Sequence, residues 1–366
     1  LTFNFDKILK VFLFFVILFW LPNQDQNVLQ MMIFDYGTLL LFGLSLCLPP
    51  VREFRNYNIL ILFFITILPV VFKNYLAYPI DLIHITAGCL LYYAIVRSVK
   101  DMRGILKTFA IICFINIPIL ILQFFGLGIV YLPLHYVGLM GRAYHLGYLA
   151  VIMTPFLFEH GKKGYLLSVL FVLTAFLIKS MAINVSLAAG LIGYMFFKFN
   201  KKTVVISSIV LIMGTMSYYL IFDRAYFKNK FDEPRRKSAY SYLIKESFMN
   251  PIIGNGPGSL DNDAKFVTRI GTDSDSYIVY SSYNQILRTA YEYAWLPLLA
   301  LFYGAYRYFR KIWIAEPCFM GAFAAMFAYP MFHEALRFAR LLAIIIPIIA
   351  LYEAYCLDKR KERLCQ

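Results

Sequence analysis

One long polar run, Asp223 to Tyr283, interrupts a chain that is otherwise a succession of apolar stretches. A helix of about 20 largely apolar residues crosses a bilayer because it satisfies every backbone group within itself. By that measure, residues 8–22, 27–49, 56–72, 76–97, 104–126, 143–158, 164–179, 180–199, 203–222, 284–306, 313–331 and 338–357 read as membrane helices. The expectation is an all-α polytopic membrane protein with about twelve transmembrane helices. Helices 1–9 fill 1–222, a long loop with a short surface helix fills 223–283, and helices 10–12 with a basic tail fill 284–366. Composition points the same way: only 15% of the 366 residues are charged, against about 25% in soluble domains. No small-residue cleavage site follows Val11 to Leu21, so this stretch reads as the first membrane helix rather than a removable leader.

A formal charge of +14 would suit a nucleic-acid binder, but its distribution excludes that partner. Twenty Lys and Arg fall in alternate short connections and the two ends, among them Lys10, Arg52, Lys100, Lys162, Lys198 and Arg310. The short connections on the other side carry five: Lys73, Arg142, Lys179, Arg337 and Arg340. The basic side faces the cytoplasm by the positive-inside rule. Both termini are then cytoplasmic, and the long loop between helices 9 and 10 is extracytoplasmic. The six cysteines lie in apolar segments or the tail, so neither a structural disulfide nor a cysteine metal site is expected. Without HExxH, a Cys pair or a dense acidic cluster, no metal or other cofactor is expected.

Inside the long loop, Pro234 followed by Arg236 to Met249 reads as a short helix stopped by Asn250-Pro251. Tyr240, Leu243, Ile244 and Phe248 recur at helical spacing, which predicts a helix lying on the membrane surface. Nine Lys/Arg balance eight Asp/Glu over 223–283, so any anion site there must be local.

Arginine presents a rigid donor fork suited to phosphate oxygens and stays charged at any working pH. Arg142 at a helix entrance, Arg235 and Arg236 before the loop helix, Arg288 one turn into the next helix and Arg337 in the last outer connection are the candidates. Arg288 also stands four residues before Glu292, and the two could simply neutralise one another in the membrane. The base candidates are His333, Glu292 and His145. Asp35, Asp81, His84, Gln123, Asn184 and Ser186 all fall in the outer half of membrane segments, which predicts either an outward polar cavity or helix-to-helix hydrogen bonds.

Arg236, the short helix, Pro251-Ile252-Ile253-Gly254-Asn255-Gly256-Pro257-Gly258 and then Tyr283-Asn284-Gln285-Ile286-Leu287 with Glu292 resemble the large periplasmic loop of the O-antigen ligase and polymerase superfamily. Gly141-Arg142-Ala143 with Leu146-Gly147 resembles its earlier arginine-bearing loop. The sequence departs from the pattern at Tyr283, where ligases carry a histidine, and at Ala294, where a glycine is usual. The missing histidine points to an O-antigen polymerase rather than a ligase. The resemblance implies a metal-independent glycosyltransferase in the bacterial inner membrane, its active site facing the periplasm. It would act on undecaprenyl-diphosphate-linked oligosaccharide within membrane lipid, with a polysaccharide co-polymerase as chain-length regulator. Arg142, Arg236 and Arg288 would hold the diphosphate, and Asn284 and Tyr283 would lie near the acceptor. A ligase acting on lipid A-core and a flippase for lipid-linked sugars are the rivals. Transporters tend to show internal repeats, and none is found here.

Overall fold

The computed structural model describes residues 4–18, 26–53, 79–125, 143–178, 180–200, 234–256, 259–262, 284–331 and 339–364, with the isolated positions 204, 208, 209 and 213. Every regular element among them is helical. In chain order they are α1 (Phe5–Leu18), α2 (Gln26–Cys47), α3 (Pro79–Ser98), α4 (Met102–Phe124), α5 (Ala143–Leu157), α6 (Gly161–Leu177) and α7 (Met181–Lys198). Then follow α8 (Pro234–Met249), α9 (Ser259–Asn262), α10 (Gln285–Tyr293), α11 (Trp295–Ile312), α12 (Pro317–Ala328) and α13 (Ala339–Leu364). Two 3-10 turns, Phe158–His160 and Tyr329–Met331, extend α5 and α12.

Among the described residues, three helices are long and apolar enough to cross a membrane: Met102–Leu122 in α4, Met181–Lys198 in α7 and Leu341–Arg363 in α13. Shorter apolar helices run over Met31–Cys47, Ile83–Ser98 and Pro317–Ala328. The expected segment 56–72 and nearly all of 203–222 lie outside the described residues. Several ends shift by a few residues, α11 running on to Ile312 and α13 to Leu364, and one expected segment is divided. The stretch 284–306 is not one helix but two, α10 and α11, broken at Ala294 with φ 72° and ψ 156°.

The core forms around α5, which is buried on every side from His145 to Leu157 and touches α4, α6, α7, α12 and α13. A helix that is apolar all round belongs where protein or lipid encloses it, and here the neighbouring helices do. Beside it, α7 and α12 approach closely because small residues meet there. A Cβ on Gly193 would lie 2.7 Å from the Ala324 methyl, and one on Gly321 would lie 2.8 Å from the Gly190 carbonyl oxygen. Such seams let dispersion contacts replace the hydrophobic drive that lipid does not supply. The outward faces of α1, α4, α6 and α11 carry exposed large apolar residues, among them Phe15, Phe114, Leu166 and Leu299.

Polar groups tie the bundle together at one end. Arg52 is 2% exposed; its Nε donates to Asp358 Oδ1 at 2.7 Å and its Nη1 to the Val99 carbonyl at 2.6 Å, while Nη2 pairs with Asp358 Oδ2. Asp6 accepts the backbone N–H groups of Lys100 and Asp101 at 3.1 and 3.0 Å, joining α1 to the start of α4. Glu159 accepts from Tyr194 at 2.8 Å and Lys198 at 3.0 Å. The Lys198 ammonium and the Tyr194 hydroxyl hold its carboxyl below the usual carboxylate range. Tyr355 of α13 donates to Glu316 at 2.8 Å. The buried Glu353 accepts the hydroxyls of Tyr92 and Tyr308, linking α13 to α3 and α11.

The polar residues expected to line an outward cavity are partly spent between and within helices. His84 Nδ1 and Asp35 Oδ1 stand 2.8 Å apart, joining α3 to α2. The Ser186 hydroxyl donates to the Ala182 carbonyl one turn back. This is the helix-to-helix alternative for Asp35 and His84 and a local one for Ser186. The side chains of Asp81 and Gln123 lie outside the described residues.

Candidate functional site

At its other end the molecule holds a compact unit made of α8, the turn after it, α9 and α10. Its core is small: Leu243 of α8, Leu260 of α9 and Tyr291 of α10, with Tyr242 and Leu287 against them. The sequence grouped Leu243 with Ile244 and Phe248 as one apolar face. The structure separates them, because Leu243 and Ser247 turn inward to α10 while Ile244 and Phe248 stay exposed.

The break at Ala294 explains how the unit is fastened. Ending α10 at Tyr293 leaves carbonyls without intrahelical donors, and the turn after α8 supplies them. Asn255 N–H donates to the Tyr291 carbonyl at 3.0 Å, and Gly256 N–H to the Glu292 carbonyl at 2.9 Å. The Asn255 side-chain amide adds a bond to Tyr291 O at 3.2 Å. In return Leu296 N–H donates to the Pro251 carbonyl at 3.1 Å. Gly254 must be glycine for this latch to close. Its φ is +70°, and a Cβ there would lie 2.4 Å from the Glu292 carbonyl oxygen. Trp295 strengthens the joint, donating its indole N–H to Ser247 Oγ at 2.8 Å and stacking on Phe248 at 5.7 Å between centroids.

Ala294 itself sits in a backbone region that is essentially reserved for glycine. A glycine would adopt this conformation without strain.

Within α10, Asn284 is the N-cap: its side-chain oxygen accepts Leu287 N–H at 3.1 Å. The residue singled out as an acceptor contact thus also starts the helix. One turn on, Arg288 Nη2 and Glu292 Oε1 lie 3.0 Å apart with side chains 3% and 4% exposed. The i, i+4 pair suggested by spacing is therefore formed, and it is buried. An ion pair this dry persists only where both charges stay, since removing one leaves the other uncompensated.

His145, the other described base candidate, is 2% exposed in the first turn of α5. One turn along, the Tyr148 ring lies 4.4 Å from that of Tyr329 in the 3-10 turn Tyr329–Met331, and this turn touches α10. Thus α5 and α10 meet across a single 3-10 turn. Arg235 and Arg236 occupy the first turn of α8, but their side chains lie outside the described residues. So do Arg142, Tyr283, His333 and Arg337 entirely. Among the described residues no group of three His, Cys, Asp or Glu stands close enough to hold a metal. What the sequence did not single out is Asn255 and the Ser247–Trp295 bond. Only the glycine spacing around Asn255 hinted at them.

A scan against protein-family models finds no match, and a search of curated proteins finds none either.

Proposed function

We propose that this chain is a polysaccharide polymerase of the O-antigen type. It would transfer a growing glycan from undecaprenyl diphosphate onto a fresh lipid-linked repeat unit at the periplasmic face of a bacterial inner membrane. The observation that carries the reading is the latch. Two stretches that resemble separate superfamily motifs, one around Gly254 and one around Arg288, are packed as one unit, with backbone hydrogen bonds between them. Arg236 enters that unit two turns before Leu243 on the same helix.

Depth supports it. From Arg310, near the basic end of α11, to Arg288 is 22 residues along α11 and α10, or at most about 33 Å at 1.5 Å per residue. A bilayer's hydrocarbon core is about 30 Å thick. With Arg310 at the cytoplasmic boundary, Arg288 can stand as high as the headgroup level of the opposite leaflet, where a lipid diphosphate sits. The ties between Arg52, Asp6, Lys100, Glu159, Lys198, Glu316 and Asp358 gather connections that the charge bias assigns to the cytoplasm. That clustering favours the twelve-helix topology with both termini inside.

In this mechanism the bond between the donor's anomeric carbon and the diphosphate oxygen breaks, and the acceptor hydroxyl oxygen takes its place. The electron pair leaves on the diphosphate, where Arg288, Arg236 and Arg142 stabilise it in a partly dry site. The acceptor proton passes to a base. Glu292 is committed to Arg288, which favours His145 or His333 for that task. A chain-length regulator remains the partner such a polymerase would use.

The test is reconstitution of purified protein in liposomes with lipid-diphosphate-linked repeat units only. A ladder of lengthened lipid-linked glycans is expected. Transfer only after lipid A-core is added would make the chain a ligase, and no product under either condition would turn the reading to transport.

A further inference from the structure

The unit's outer surface carries a feature that catalysis does not use. At the C-terminal end of α8 and in the turn after it, Phe248, Met249 and Ile252 are 65%, 60% and 63% exposed, and Ile244 is exposed one turn before Phe248. Soluble surfaces seldom gather so many large apolar groups in nine residues. On the other side of α8, Tyr242 and Leu243 pack against Tyr291 of α10 and Ser247 bonds Trp295, so the exposed stripe is not the helix's packing face.

Two observations say what covers it. First, the stripe continues into α11. Phe248 stacks on Trp295, Leu296 is bonded through its backbone to Pro251, and Leu296, Leu299, Phe302 and Tyr303 follow as exposed residues along α11. Second, the depth is fixed by length. Trp295 is 15 residues from Arg310, or about 22 Å along the helix axis, which is shorter than the roughly 30 Å of hydrocarbon a span must cross. With Arg310 at one boundary, Trp295 lies inside the opposite leaflet, and the end of α8 is held beside it.

We infer that the Phe248–Ile252 end of α8 is a lipid-inserted foot, seated among the acyl chains of the outer leaflet just beneath the headgroups. The ligand is phospholipid hydrocarbon. Lys245 and Glu246, next to the stripe on α8, mark where the helix rises into the polar layer. The foot sets the height of α8 above the bilayer, so that Arg235 and Arg236, at the helix's other end, stand at or above the headgroups. This rests on the part of the proposed function that makes α11 a membrane span, and not on the transfer reaction.

The experiment is spin labelling of the full chain in phospholipid vesicles, with a nitroxide placed singly through Ile252→Cys, Lys245→Cys or Phe302→Cys after the native cysteines are replaced by serine or alanine. Collision with oxygen, which concentrates in lipid, is compared with collision with a water-soluble nickel chelate. The label at 252 is expected to favour oxygen several-fold over the chelate, matching 302, while that at 245 favours the chelate. A label at 302 in lipid with 252 open to the chelate overturns the foot and leaves α11 as a span. A label at 252 shielded from both reagents overturns it too, since protein then covers the stripe. A label at 302 open to the chelate defeats the membrane span itself. A second measurement avoids cysteine replacement: with Trp20→Phe and Trp313→Phe, Trp295 is the sole tryptophan. Lipids brominated on their acyl chains should quench at least half of its emission, and quenching by aqueous iodide alone would contradict the inference.

Discussion

Arg52 and Arg288 are equally buried, each 2% exposed, and sit at opposite ends of the helical assembly. Arg52 binds across the fold: Asp358 lies 306 residues away, and the Val96 and Val99 carbonyls belong to another stretch. Arg288 pairs with Glu292 one turn along its own helix. A guanidinium spread over three partners fixes how helices stand relative to each other. The Arg288–Glu292 pair lies within one helix, whose packing on α8 also uses the apolar contacts of Leu243 and Tyr291 and the backbone latch. The two ends thus use the same chemical group differently: one guanidinium joins distant stretches of chain, the other forms a buried pair within a single helix.

If that contrast is right, the largest effect on stability comes from Arg52→Ala. It removes the hydrogen bonds to two buried carbonyls and takes the cation from a partly exposed Asp358, at a cost of about 2–4 kcal/mol. Thermal unfolding in detergent should show a drop of many degrees, while any protein that remains folded matches the wild type in the chain-growth assay of the proposed function. An unchanged midpoint would erase the distinction between the two ends.

The latch predicts a pair of opposite, smaller shifts. Gly254→Ala puts a methyl against the Glu292 carbonyl and loosens the turn, costing at least about 2 kcal/mol. Ala294→Gly relieves a strain of about 1–3 kcal/mol and adds about 0.5–1 kcal/mol of unfolded-state entropy, so it should stabilise by roughly 1 kcal/mol. Both are read from unfolding midpoints, and the same sign for the two would refute the strained break.

The smallest effect concerns Glu159, which Lys198 and Tyr194 hold below the usual carboxylate range. A depressed folded value means its contribution is complete above the unfolded value of about 4.3 and disappears as pH falls through the folded value. The difference in midpoint between the wild type and Glu159→Gln should therefore shrink below about pH 4. The pair is largely exposed, so this shift should be the least of the set.

Much of this was legible beforehand. Apolar runs gave helices wherever the structure describes them, because length and composition alone decide whether a segment can satisfy its backbone in lipid. The pair Arg288–Glu292 was visible as an i, i+4 spacing, and Pro234 and Asn250 bounded α8 as helix signals do. The break at Ala294 was not legible. An alanine in an apolar run reads as helix, and only the latch from residues 254–256, some 40 positions away, makes a positive φ tolerable there. The split of α8 into an inward Leu243 and an outward Phe248 was hidden for a similar reason: periodicity defines an apolar stripe but not which edge of it finds a partner. The surroundings of Arg288 beyond its own helix depended on α8 and the Tyr329 turn, which no local pattern announces.

The most direct test of the central claim is Arg288→Lys, assayed for chain growth in liposomes beside its thermal midpoint. A lysine can keep the charge balance with Glu292 but would lose the fork that the proposed function needs to bind two phosphate oxygens. The prediction is a midpoint within a few degrees of wild type and a rate lowered about 100-fold. Full activity in the lysine variant would mean that Arg288, like Arg52, is there to hold the fold.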